Sequence, residues 1–256
     1  MMASVKQPFS HLILIAFSLL YGLESLAGSL NPGSMENYLK HAVRAEVWQK
    51  PSWINDRFEF DDSFDLTQNP LPQQKKAFGQ DEEVVCNYVP PKRFSGWNRK
   101  IFCERKRENG EIETIKVKYG LSNGEVSGEI AATRLLWSLG FKTDVMYPIR
   151  ALVCKDCPSD DPWWKRNGPP GEYRFYNVVV ERKFPGALVE VKENQGFDMA
   201  PLFTGYEEKD LKTAAPEQKE KLLAKKTHRD ALKIMAAFLQ HSDSQPGQQR
   251  LLCTGE

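Results

Sequence analysis

The stretch Ile115–Phe141, IKVKYGLSNGEVSGEIAATRLLWSLGF, constrains the fold of this chain more than any other. Ile115, Val117 and Tyr119 alternate with Lys116 and Lys118, which predicts a strand with one apolar face and one face of ammonium groups. Gly120 and Asn123-Gly124 break the strand. A helix follows, with Ala131, Leu135 and Leu139 recurring at i, i+4 and i+8 and Ala132 and Leu136 beside them. Gly140 stands where a left-handed C-terminal cap is expected. Glu129 shares the column of Ala132 and Leu136, so it points to the packed side. A carboxylate there requires a cation, and Lys118 or Lys116 is the nearest supplier. The plainer reading is a surface lysine and a helix-start glutamate favoured by the helix dipole.

The lysine strand closes a series. Val84–Val89 and Arg99–Lys106 read as strands, and the loop Pro90–Asn98 between them carries Ser95-Gly96. Asn109-Gly110 is a tight-turn signal before Ile112–Tyr119. The order is therefore strand, glycine-bearing loop, strand, hairpin turn, lysine strand, glutamate helix. Thr143–Val153 and Tyr173–Lys183 read as two more strands, the latter central, and Phe184-Pro185-Gly186 as a connector. Leu188–Asn194 adds a short strand, and Gln195–Asp210 reads as loop. Pro216–Gln240 is the longest helix, with Pro216 in its first turn. Its apolar stripe is Leu232, Met235, Ala236 and Leu239, and Lys219, Lys221, Lys225, Lys226, Arg229 and Lys233 make it basic. Such a run reads first as a solvated face, and secondly as a contact for a membrane surface.

The chain has 256 residues, 41% hydrophobic and 27% charged, enough for one large domain or two small lobes. A net charge of +1 gives no global attraction to nucleic acid, and none is expected as a partner. Lys6 and His11 precede an apolar run, Leu12–Leu23, followed by the small-residue site Ser25-Leu26-Ala27. Residues 1–27 read as a secretory signal, so the expected location is secreted or periplasmic. Cys86, Cys103, Cys154, Cys157 and Cys253 then point to disulfides. Cys86 and Cys103 fall on neighbouring strands and are expected to bridge. Zinc at Cys154 and Cys157 would need a second pair. A redox motif would need a helix where Pro158 stands. A local disulfide is the remaining reading, and Cys253 is left over. Residues 28–81 read as lead-in and linker, with a short amphipathic helix in Asn37–Lys50 and an aromatic stretch from Trp53 to Phe64.

The long helix delivers the chain to His241–Arg250, HSDSQPGQQR. Phosphoryl transfer by kinases needs a carboxylate at the acceptor hydroxyl and an amide or carboxylate a few residues on to hold metal. Loops of the form H-x-D-x-x-x-x-N supply both. Asp243 matches the acid, and Gln248 stands at the amide position, one methylene longer. The same residues also read as a polar turn.

The blocks VKYG, EIAATRLLWSLGF, C-x-x-C-P, ERKF and FLQHSDSQPGQQRLLC run in this order between Val84 and Cys253. They resemble a family of uncharacterised bacterial secreted proteins with a kinase-like motif order, and more distantly the atypical kinases of lipids and of bacterial toxin pairs. The resemblance implies an α+β, two-lobed kinase-like architecture: a small antiparallel-sheet lobe in 82–183 and the start of a helical lobe in 184–256. It implies ATP and Mg as cofactors, with Lys118 on the nucleotide phosphates, Glu129 paired to it and Lys116 beside them. Asp243 would orient the acceptor, and Gln248 would be a metal ligand. In that family the last block usually reads HxDNKxxNQRLxC, and a DLG-type segment follows further on. Here Gln248 replaces the asparagine, and no such aspartate precedes Glu256. The expectation is a truncated family member, inactive as written, with the partner of Cys253 in the missing part. Two rivals remain: a non-catalytic envelope binding module, using Trp53–Phe64 and Trp163-Trp164 as partner surfaces, and a thiol–disulfide protein using Cys154 and Cys157.

Overall fold

The computed structural model describes residues 2–5, 31–62, 64–65, 77–91, 98–159, 169–191, 207–239 and 250–254. Their elements, in chain order, are β1 (Met2–Val5), α1 (Met35–Arg44), β2 (Glu83–Tyr88), β3 (Lys100–Lys106), β4 (Ile112–Tyr119) and α2 (Gly124–Ser138). There follow β5 (Val145–Ile149), β6 (Ala151–Cys157), β7 (Gly171–Phe175), β8 (Val178–Arg182) and β9 (Ala187–Val189), then α3 (Glu207–Thr213), α4 (Pro216–Phe238) and β10 (Arg250–Cys253). The class is α+β. The chain divides into two compact units: Pro51–Leu139 with Thr143–Lys183, and Met1–Lys50 with Gly140–Lys142 and Phe184–Glu256.

The first of these units is built on a seven-stranded sheet of order β5-β8-β4-β3-β2-β6-β7. It is mixed, because β6 runs parallel to β2 while every other pair is antiparallel. The expected single strand Thr143–Val153 is two strands separated by Arg150. That residue forces the shape of the sheet. On a flat sheet with strands about 4.8 Å apart, β5 and β6 would lie roughly 24 Å from each other. One residue spans at most about 7 Å between its neighbours. The sheet therefore curls back on itself, and the Arg150 N–H donates to the Glu82 carbonyl (3.0 Å) at the join.

The curl gives the sheet an inside and an outside. Ile101, Ile115, Val117, Tyr147, Leu152 and Val180 fill the inside, none more than 1% exposed. Tyr173–Lys183 is likewise not one strand. Asn177, at φ 51°, breaks it into β7, paired to β6, and β8, which lies between β4 and β5. Two disulfides lie on the inner face. Cys86–Cys103 joins β2 to β3 (Cα–Cα 5.6 Å), and Cys154–Cys157 (5.9 Å) closes a register shift in β6. Helix α2 packs on the outside, with Val126 and Ile130 against Val179 and Met146. Its buried face runs through Val126, Ile130, Thr133 and Leu136, and Ala131 is exposed. Of the expected stripe of Ala131, Leu135 and Leu139 with Ala132 and Leu136 beside them, Leu136 is on this face, while Thr133 was missed because it does not count as apolar. Its hydroxyl is satisfied by donating to the Glu129 carbonyl (2.8 Å), so it packs as an aliphatic residue.

In the other unit, α1 is capped by Ser34, which accepts from the Asn37 N–H (3.2 Å), and it buries Tyr38, Ala42 and Val43. The helix expected over Asn37–Lys50 stops at Arg44. The chain beyond it is extended, and Val47 and Gln49 exchange backbone hydrogen bonds with Lys142 and Gly140 (both 2.9 Å). A three-stranded sheet has the order β1-β10-β9, with β1 parallel and β9 antiparallel to β10. Gly186 lies against β10 at φ +142°, and a Cβ there would sit 2.9 Å from the Cys253 carbonyl oxygen, so only glycine fits. Helix α3 begins at Glu207, inside the stretch expected to be loop. No helix among the described residues is long and apolar enough to cross a membrane. Most of the signal-like segment 1–27, from residue 6 on, lies outside the described residues.

Candidate functional site

Alternation along β4 places Lys116 and Lys118 on the outside of the sheet, the side that carries α2. Gly120, at φ +106°, turns the chain out of the strand, and its N–H donates to the Asn177 carbonyl (3.1 Å). Asn123 then starts the helix. Its side chain accepts from the Glu125 N–H (3.2 Å) and donates to the Tyr119 carbonyl (3.2 Å), so strand end and helix start are tied by one buried amide. Glu125 and Glu129 are four residues apart, hence on one helix face. Both reach Lys118.

Lys118 is 7% exposed. Its Nζ is paired with Glu129, lies 3.0 Å from Glu125 and lies 3.7 Å from Glu181 on β8. Burial works against the ammonium charge, but Glu129, Glu181 and Glu125 outweigh it and hold Lys118 above the ordinary lysine value. Burial also pushes the Glu129 carboxyl up, with Glu125 and Glu181 adding to it against the pull of Lys118. Its second oxygen, Oε2, is buried and takes no hydrogen bond from the described residues. Lys116 pairs with Glu181 (2.6 Å), which also meets Lys183 (2.6 Å), and Lys183 reaches Asp144 (2.7 Å). The result is a chain of alternating charge along the outer face of β4 and β8.

Of the residues singled out in the sequence, Lys118, Glu129 and Lys116 are thus together, with Lys116 linked through Glu181. Asp243 and Gln248 lie outside the described residues, as does Ser95-Gly96. Glu125, Glu181, Lys183 and Lys100 were missed. Glu125 was legible from its four-residue spacing to Glu129. The others depend on which strands become neighbours. No cluster of three metal-ligating side chains occurs among the described residues.

The basic face of α4 is largely consumed internally. Lys226 and Lys233 pair with Asp230, Lys221 pairs with Glu217, and Arg229 is buried.

Glu181 gives the site a defined pH response. Burial pushes its carboxyl up, but Lys183 and Lys116 outweigh this and bring it from 4.5 to about 2. In that window the unfolded chain binds a proton that the native state does not. Its contribution, on the order of 3 kcal/mol, is therefore complete above pH 4.5 and lost as pH falls toward 2. Glu113 is also lowered and acts in the same sense. Glu129, being raised, acts in the opposite sense. Urea unfolding at pH 5 and pH 3 tests this. Glu181→Gln is expected to flatten the stability difference between the two, and an unchanged difference would refute the assignment.

Comparison with known proteins gives no match: no family model fits the chain, and no curated protein or solved structure is significantly similar to it.

Proposed function

We propose that the chain is an exported kinase-like protein that binds the phosphates of a nucleotide at Lys118. The observation that carries the reading is the Lys118–Glu129 pair, which joins a sheet strand to the helix directly after it. In protein kinases a strand lysine contacts the nucleotide phosphates and pairs with a glutamate of the following helix. Lys118 suits this role because its carboxylate neighbours keep it protonated and aimed. Glu129 and Glu125 fix the ammonium in place, and Glu181 holds Lys116 beside it. Bound ATP with Mg would supply the phosphoryl group and its counter-charge. In the same proposal Asp243 orients an acceptor and Gln248 serves as a weak metal ligand, and transfer is inefficient.

Isothermal titration of the full chain with ATP, with and without Mg, tests the reading. The expected result is saturable binding that Lys118→Met weakens at least tenfold. Lys118→Arg guards against a folding defect, because it keeps the charge but not the geometry. It should fold, as judged by circular dichroism, and still bind poorly. Absence of binding by the wild-type protein to ATP, ADP and GTP would remove the proposal.

A non-catalytic binding module has its own support. Phe60 is 44% exposed and stacks on Phe64 (5.1 Å between centroids), which in turn stacks on Trp53 (5.4 Å). Trp163-Trp164 lies outside the described residues. Contact of α4 with a membrane surface draws on the exposed Ile234 and Phe238 near its C-terminal end. A thiol–disulfide role gains little, because both Cys154 and Cys157 are fully buried as a disulfide.

A further inference from the structure

In the three-stranded sheet, β1 runs parallel to β10, with Met2, Ala3, Ser4 and Val5 opposite Arg250, Leu251, Leu252 and Cys253. β9 holds the other edge of β10, so β10 is the central strand. Yet β1 lies within residues 1–27, which read as a leader removed after Ala27. The same four residues cannot both leave with the leader and keep that edge of β10 paired. We propose that β1 holds the place of a partner. Once the leader is cut away, β10 takes up an extended, uncharged, apolar segment of another protein, lying parallel to it as β1 does.

Burial defines what fits the slot. With β1 in place, Leu251 is 0% and Leu252 4% exposed. Successive residues of a strand face opposite sides of the sheet, so the middle of β10 is covered on both faces. Loss of β1 leaves β10 with a row of unpaired N–H and C=O groups beside this apolar centre, which is a template for another strand. Parallel strands covered on both faces carry continuous apolar runs rather than alternating ones. The segment in place obeys this, since Met2-Ala3-Ser4-Val5 has no charged side chain. A charge would be desolvated there, and a proline would remove a ladder hydrogen bond. Strand direction defines where the segment comes from. Two copies related by a two-fold axis normal to the sheet would join their β10 edges antiparallel, whereas the edge is paired in parallel. A processed second copy has also lost its own Met2–Val5. Both points favour a segment of a different protein, bound by strand addition.

This inference rests on the reading of residues 1–27 as a leader, and the intact mass of the protein recovered from the periplasm of an expression host tests that reading separately. Retention of residues 1–27 there would remove the leader reading and the inference with it. Amide exchange of residues 250–253 then reads the slot. In the full chain it should be slow. Ala3→Pro combined with Ser4→Pro in the full chain should speed it roughly tenfold or more, while protection of β3 and β4 stays unchanged. The processed protein should exchange as fast as this variant. A synthetic hexapeptide with the sequence of residues 1–6 should restore its protection saturably, and the same peptide with both proline substitutions should not. Equal exchange in the full chain and the processed protein would overturn the proposal, as would failure of the hexapeptide to protect. Protection of 250–253 that rises with the concentration of the processed protein alone would assign the slot to a second copy and overturn it as well.

Discussion

Glu113→Gln is expected to destabilise the sheet unit by about 3–5 kcal/mol, the usual loss when one member of a buried ionic cluster is removed. Glu113 lies on the inner face of β4, at the end of the core, and its side chain is 6% exposed. Three guanidinium groups converge on it: Arg105 Nε at 2.7 Å, Arg107 at 2.8 Å and Arg182 at 2.7 Å. Burial pushes its carboxyl up, yet the Arg107 and Arg105 hydrogen bonds and the Arg182 charge outweigh it and hold the group below the ordinary value. Arg105 has a second carboxylate in Glu82 (2.8 Å), and both Arg105 and Arg182 lie over the Phe78 ring, at 4.2 and 4.7 Å. Removing the Glu113 charge takes away the carboxylate that Arg105, Arg107 and Arg182 share at a site with little water. Urea denaturation followed by circular dichroism measures the loss. Replacing Glu113 and Arg182 together by leucine and methionine should cost less than Glu113→Gln alone, since one of the three guanidinium charges is removed along with the carboxylate. A loss under about 1 kcal/mol for Glu113→Gln would mean that the cluster is solvated, contrary to its burial.

Arg229→Met is the second large effect, again about 3–5 kcal/mol. Arg229 is 2% exposed and pairs with Glu207 of α3, itself 4% exposed. Its other arm donates to the Val43 carbonyl at 2.7 Å. Val43 is in the last turn of α1, where helix carbonyls have no intrahelical partner and the dipole favours a cation. Lys225 does the same for the Arg44 carbonyl (2.6 Å). One side chain of α4 therefore caps α1 and neutralises α3. The variant should lose amide-exchange protection in residues 35–44 before the seven-stranded sheet does. Lys225→Met, on the exposed side of the same cap, should cost no more than about 1 kcal/mol. Equal protection loss in both variants would contradict the distinction.

Arg229 also marks a limit of reading local pattern. In the sequence it is one of six basic residues on a long helix and counts toward a solvated face. The structure buries it, because α1 and α3 bring a carbonyl and a carboxylate to that one position. Lys221, Lys226 and Lys233 are ordinary by comparison, since their acidic partners lie three or four residues away on the same helix.

What the order of residues decided alone is whatever depends on neighbours along the chain. The alternation in Ile112–Tyr119, the turn at Asn109-Gly110, the helix after Asn123 and the left-handed Gly140 were all readable, because backbone geometry and capping act over a few residues. The nearness of Lys118 to Glu129 was readable for the same reason, as one short turn separates strand from helix. Tertiary structure alone decided that β8 lies beside β4, which brings Glu181 to Lys116. It alone set β3 in the register that puts Lys100 opposite Lys118. It alone curled the sheet so that a single arginine could join β5 to β6. Those outcomes follow from how strands share one core and one set of hydrogen bonds, and no local pattern encodes a partner that is sixty residues away.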